Sequence, residues 1–183
     1  MINYGQTLWK EGCDYMGNFI FAGCDTVELA KKYGTPLHVI SEDFIIERCR
    51  EIREDFLEKY SNTMAVYASK AFLTKEMARI IKREGLGMDV VSGGELYTAM
   101  EVDFAMDKIV FHGNNKSIDE IEMAVKNGVG RIVVDNIREL DLIESIASKY
   151  QKRVGIQFRI CPGVDVHTHK YIQTGQLDSK FGI

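Results

Sequence analysis

From residue 64 onward the chain repeats one pattern. A short, continuously apolar run is followed by a polar break, and then by apolar residues at helical spacing. The runs are MAVYA (64–68), GMDVV (87–91), KIVFH (108–112), RIVVD (131–135) and VGIQF (154–158), with starts 23, 21, 23 and 23 residues apart. Runs that are apolar along their length, rather than alternating, predict strands buried on both faces, as in a parallel sheet under crossover helices. Between them, Ser92-Gly-Gly-Glu95, Ser117-Ile-Asp-Glu120 and Asn136-Ile-Arg-Glu139 each set a capping oxygen three residues before a glutamate, which is a helix-start signature. Apolar residues follow at helical spacing: Ile118, Ile121 and Val125 in one stretch, Ile137, Leu140, Ile143 and Ile146 in another. Such a strand–helix repeat builds either an open doubly wound sheet or a (β/α)8 barrel, and the even spacing favours the barrel. The expected fold class is α/β, a partial (β/α)8 TIM-type barrel, because eight units need about 250 residues and this chain of 183 supplies five clear ones.

Ahead of the repeat, Asp25-Thr-Val-Glu28 predicts a helix running to Tyr33 and stopped by Gly34. Pro36-Leu-His-Val-Ile40 reads as a further strand. Residues 42–60 read as one amphipathic helix with Phe44, Ile45, Cys49, Ile52, Phe56 and Leu57 on one face. With two prolines and no Ser/Gly-rich tract, no linker is evident.

Composition narrows the class without choosing a function. Hydrophobic residues at 45% and charged residues at 27% are ordinary globular values. Lys+Arg at 23 against Asp+Glu at 27 gives a net charge of −4, and no basic block of the kind that grips phosphate backbones occurs, so no nucleic-acid partner is expected. The start, MINYGQTLWKEGCDY, has no basic region leading into an apolar stretch, and no 18-residue apolar run follows. A cytoplasmic protein with no membrane partner is the expectation. Cys13, Cys24, Cys49 and Cys161 show no C-x-x-C spacing, so reduced thiols are expected rather than a metal centre or a disulfide framework. Asn115-Lys116-Ser117 matches a glycosylation sequon, a chance occurrence in a cytosolic chain.

In folds of this class, functional groups sit at the carboxyl ends of the strands, where the βα loops converge. Those ends carry Lys70, Asp89 with Ser92-Gly93-Gly94, His112 with Asn114 and Asn115, Asp135, and Arg159. Each has a plainer reading. Lys70 after its apolar strand is also compatible with a solvated loop, His112 with a hydrogen-bonded strand end, Asp135 with support of the next helix start, and Arg159 with a structural ion pair. Gly93-Gly94 is compatible with a tight turn, although glycines before a helix also let backbone N–H groups approach an anion. Asp89 is the sharpest signal, since a carboxylate inside an apolar strand is costly without a partner.

Tyr67-Ala68-Ser69-Lys70-Ala71 resembles the strand that carries the pyridoxal-phosphate lysine in alanine-racemase-like (fold type III) decarboxylases. YGTPLHVIS (33–41), LGMDVVSGGEL (86–96), FHGNNKS (111–117) and PGVDVHTHKYIQTGQLDSKFGI (162–183) narrow the resemblance to the diaminopimelate decarboxylase family, from about residue 15 to the end. Tyr-Ala-x-Lys alone is weakly specific; five ordered motifs at barrel-compatible intervals are strongly so. The resemblance implies decarboxylation of meso-2,6-diaminopimelate to L-lysine and CO2, with pyridoxal 5'-phosphate as cofactor, a small-molecule amino-acid substrate and a homodimeric full-length form. It implies that Lys70 holds the cofactor covalently and acts in catalysis. Asp89, His112 and Arg159 join Lys70 as cofactor-binding residues, with Arg159 on the floor of the site, and His112 and Asn114 belong to a motif near its mouth. His167, His169 and Tyr171 look like family loop residues. The alternatives are a decarboxylase of the ornithine or arginine type, an amino-acid racemase, or a non-catalytic module retaining Lys70; the HTHKYIQTG segment argues against the first two.

By the same resemblance, residues 1–41 belong to the first segment of a β-domain and residues 42–183 to an incomplete pyridoxal-binding barrel. Where the family commonly has Val-Asn before Pro-Gly, this chain has Ile160-Cys161. The family's ring-stacking histidine, phosphate-cradling glycine loop, Glu-x-Gly-Arg region and C-terminal tyrosine and cysteine all follow the segment matching FGI, so none has a counterpart here. The 183-residue chain alone is therefore expected to be inactive.

Overall fold

A computed structural model describes residues 12–13, 17–163 and 181–183. They divide into two compact units, one up to Glu51 and one from Ile52 onward.

In the first unit, β1 (Gly12–Cys13), β2 (Phe19–Phe21) and β3 (Cys24–Asp25) form an antiparallel meander with Cys13 opposite Phe19 and Phe21 opposite Cys24. Helix α1 (Thr26–Tyr33) starts at Asp25, whose carboxylate accepts from the N–H groups of Val27 and Glu28 at 2.7 and 3.1 Å. It ends at Gly34, as its sequence predicts. Residues 36–40 form no strand, contrary to expectation: among the described residues no neighbour pairs with them, and Leu37, Val39 and Ile40 stay 40–49% exposed. A strand needs a partner for its N–H and C=O groups, and apolar composition alone does not supply one. Helix α2 (Glu42–Ile52) covers only the first part of the expected 42–60 helix.

In the second unit a wider turn spans Arg53–Leu57, with Glu58 N–H bonded to the Arg53 carbonyl at 2.9 Å, so the regular helical spacing is lost there. Five strands then pair in parallel: β4 (Val66–Ala68), β5 (Gly87–Val90), β6 (Ile109–Phe111), β7 (Arg131–Val134) and β8 (Ile156–Phe158). Their spatial order is their chain order. A doubly wound sheet reverses its order at a switch point; this one never does, which is the arrangement of consecutive barrel units. Helices α3 (Lys75–Arg83), α4 (Gly93–Met100), α5 (Ile118–Asn127) and α6 (Ile137–Lys149) form the connections.

The core lies between these helices and the three middle strands. Met88, Val90, Ile109, Phe111, Ile132 and Val134 are fully buried, packed with Ile81 and Ala78 of α3, Leu96 of α4, Ile121 and Val125 of α5 and Ile143 of α6. The outer strands differ from expectation: β8 is exposed throughout, and β4 is exposed at Val66 and Ala68. Among the described residues each has one neighbouring strand, so its apolar residues are covered on fewer sides. Ile118 and Ile137, read as members of buried helix faces, are also exposed, because they are the first residues of their helices and stand beyond the sheet. Where the chain enters β7, an added Cβ at Gly130 would lie 2.0 Å from the Asp107 carbonyl oxygen, so only glycine lets the two backbones meet.

Candidate active site

The three helix starts predicted within the strand–helix repeat are made, but of these only Ser117 and Glu120 form a reciprocal capping box. Ser92 Oγ and Asn136 Oδ1 accept from the N–H of Glu95 and Glu139. The side chains of those two glutamates pass their caps and take the N–H groups of Val91 and Asp135. Glu120 also accepts from Gly93 N–H at 2.6 Å, linking the start of α5 to the start of α4. A Cβ at Gly93 would meet Glu120 Cγ at 3.0 Å, so a larger residue there requires the Glu120 side chain to shift. Each helix start is therefore fastened to a βα loop at the carboxyl edge of the sheet.

A cavity of about 680 Å³ opens at that edge, lined by Lys70, Asp89, His112, Asn114, Arg159 and Phe181 among others. Five strand ends thus contribute to one mouth, while Asp135, expected there, does not line it and meets it through Arg159. Lys70 lies in a single helical turn, Ser69–Ala71, directly after β4. Ser69, 2% exposed, donates its hydroxyl to the Asp89 carbonyl at 2.6 Å and so holds that turn against β5. Lys70 itself is exposed to the cavity side.

Asp89 is the one residue of β5 that is not fully buried. Its Oδ1 lies 3.8 Å from His112 Nε2 and has no hydrogen-bond partner. Burial pushes the Asp89 carboxyl above the usual carboxylate range, against the opposing pull of His112 and Lys70. Burial likewise pushes His112 down, with Asp89 opposing and the positive charges of Arg159, Lys116 and Lys70 adding to the shift. Arg159 Nη1 lies 3.7 Å from Asp135 Oδ1, and its guanidinium sits over the Phe181 ring at 4.0 Å. Asp135 is 3% exposed, and its Oδ1 is also without a hydrogen-bond partner. Two buried carboxylate oxygens left unmatched beside a cavity edged by an amine and a guanidinium are acceptors awaiting donors. A ligand with a carbonyl for the amine, an anionic group for the guanidinium and polar hydrogens for the carboxylates suits this donor set.

Several features escaped the sequence reading. Nothing in the local sequence marks Ser69 as the anchor of the Lys70 turn. Lys116, in the sequon, proves to be buried, with its amine 2.7 Å from Glu139. Gln157 and Phe158 of β8 join the cavity wall. Among the candidates at the strand ends, Asn115 lines a separate groove between the starts of α5 and α6 rather than this cavity. His167, His169 and Tyr171 lie outside the described residues. Among the described residues no helix is long and apolar enough to cross a membrane.

Residues 42–183 match the family described as pyridoxal-dependent decarboxylase, pyridoxal binding domain, and the chain belongs to that family. Within it, the chain is 52% identical over 166 residues to diaminopimelate decarboxylase of Bacillus methanolicus, covering 91% of this chain and 38% of that protein. It is 44% identical over 185 residues to the Mycobacterium tuberculosis diaminopimelate decarboxylase, covering 100% of this chain and 41% of that one. The solved diaminopimelate decarboxylase of M. jannaschii in co-complex with L-lysine superposes with a TM-score of 0.84 at 38% identity, over 94% of this chain and 41% of that one. The chain therefore spans about two-fifths of the length of the relatives it matches.

Proposed function

We propose that this chain is the pyridoxal-binding portion of an enzyme that decarboxylates meso-2,6-diaminopimelate to L-lysine and CO2, a step of lysine biosynthesis. The observation that carries this reading is the 52% identity, over nine-tenths of the chain, to a diaminopimelate decarboxylase. On the same reading, residues 1–41 are the opening segment of a β-domain, the rest is part of the barrel, and the complete protein is a cytoplasmic homodimer.

Pyridoxal phosphate, when bound, supplies the electron sink for the pair released as the carboxylate leaves. The chain's own residues do the rest. Lys70 reaches the cavity from the turn pinned by Ser69, and its amine holds the cofactor covalently. Asp89, whose Oδ1 is buried without a hydrogen-bond partner, orients the bound group and holds a proton more readily than an ordinary aspartate. His112, kept neutral by burial, presents an uncharged imidazole 3.8 Å from Asp89. Arg159 supplies fixed positive charge at the floor for an anionic group, and Phe181 covers its face. Val91, Val133 and Phe158 supply apolar wall to the cavity beside these groups.

The test is CO2 release by the complete pyridoxal-loaded enzyme that contains this chain, the 183-residue portion alone being expected to be inactive, with meso-diaminopimelate, ornithine and arginine offered separately. Release from diaminopimelate alone, abolished by Lys70→Ala, is expected. Equal release from ornithine, or none from any of the three, would overturn the reading.

A further inference from the structure

We propose that Lys116 and Glu139 are a positioning pair for the cavity: a buried ion pair that fixes the loop after β6 to the loop after β7, and so sets His112, Asn114 and Asp135 in place. The inference rests on the reading above for the identity of the cavity's ligand, but not for the pair's effect on the loops.

The Lys116 side chain is 1% exposed and that of Glu139 6%. The ammonium has three donors, and three acceptors surround it: the Gly113 carbonyl at 2.7 Å, the Val133 carbonyl at 2.8 Å and Glu139 Oε1 at 2.7 Å. Val133 lies one residue beyond the last β6–β7 register pair, Phe111 with Ile132. The lysine amine therefore acts where the next rung of the ladder would have placed a backbone donor. Gly113 and Val133 both line the cavity, Gly113 between His112 and Asn114. The other carboxylate oxygen, Oε2 of Glu139, accepts from Asp135 N–H at 2.8 Å. One carboxylate thus joins Lys116 to the residue that faces Arg159 at 3.7 Å.

Neither Lys116 nor Glu139 lines the cavity, so each acts through its neighbours. Stability alone does not account for the pair, because a buried ion pair replaced by apolar residues of similar volume is often no less stable. What an apolar pair cannot do is hold two specific carbonyls and one specific N–H in a fixed relation. Gly113 and Asp135 belong to the loops after β6 and β7, and Val133 to the end of β7 between them, the segments that carry His112, Asn114 and Asp135.

The experiment compares the full chain with Lys116→Met and with the double variant Lys116→Met/Glu139→Leu. It reads melting temperature, backbone amide exchange, and the dissociation constant for pyridoxal phosphate from borohydride-fixed adduct. The double variant is expected to melt above Lys116→Met, because no charge is left unpaired, but below the parent, because the Gly113 and Val133 carbonyls and the Asp135 N–H lose their partners. It is also expected to show at least tenfold faster exchange at Asp135 and at least tenfold weaker pyridoxal phosphate binding, with exchange in β5 unchanged. Parental exchange at Asp135, or parental affinity in a double variant that still unfolds cooperatively, would overturn the inference. If the parent itself fixes no pyridoxal phosphate, the functional reading fails separately, and amide exchange alone decides the fate of the positioning pair.

Discussion

Two lysines stand at the carboxyl edge of the same sheet, and they are handled in opposite ways. Lys70 follows β4, the outer strand, and its side chain is exposed to the cavity. Lys116 follows β6, a strand with neighbours on both sides, and its side chain is 1% exposed with an acceptor for each of its three donors. The local sequences suggest the reverse, since Lys70 directly follows an apolar run and Lys116 sits among asparagines and a serine. Burial is decided by how many elements surround a position, not by the apolarity of its immediate neighbours. An exposed amine can meet a ligand, whereas one with every donor used can only hold its surroundings.

The sharpest way to break this comparison is to remove each charge. Lys116→Met leaves Glu139 buried without its cation and is expected to destabilise the protein by about 3–5 kcal/mol. Lys70→Met should change stability by less than about 0.5 kcal/mol. Urea unfolding of the two variants checks both. A second contrast separates middle strands from outer ones. Ile132→Val in β7, where the side chain is fully buried, should cost about 0.5–1.5 kcal/mol. Ile156→Val in β8, 38% exposed, should fall within about 0.5 kcal/mol of the parent. Equal losses would show that the outer strand is more enclosed than the fold indicates.

A smaller effect, of opposite sign, is expected at Asp89. Its carboxyl is raised above the usual 3.8 by burial, so its contribution to stability is present below that value and is lost as pH rises through the raised pKa. Asp89→Asn should therefore raise the melting temperature at pH 7 while weakening pyridoxal phosphate binding. A variant that is both less stable and equally able to bind would contradict the assignment. His112 gives the smallest effect. It is lowered below the usual 6.5, so its contribution is present above 6.5 and is lost as pH falls through the lowered pKa. His112→Gln should flatten the decline of the urea midpoint between pH 7 and pH 5, and an unchanged decline would place its cause elsewhere.

Much of this architecture was legible from residues alone. The five apolar runs became five strands in chain order, and Ser92, Ser117 and Asn136 cap the helices they were expected to cap. Asp89 stood out because a carboxylate within GMDVV needs a reason. The pairing of Lys116 with Glu139 was not legible. Glu139 reads as the third residue of a capped helix and Lys116 as a loop cation, and only folding brings the two together across neighbouring repeat units. The strand expected at 36–40 failed for a related reason, since local apolarity cannot supply a partner. Local signals were read well where the cause is local and missed where a second element decides.

The most direct measurement is peptide mapping of the borohydride-reduced protein after incubation with pyridoxal phosphate. The expected result is a reduced pyridoxyl adduct on the peptide containing Lys70, and none on the peptide containing Lys116, whose amine has no free donor and no access. An adduct spread over surface lysines, or its absence from Lys70, would contradict the claim that the cavity at this sheet edge binds pyridoxal phosphate.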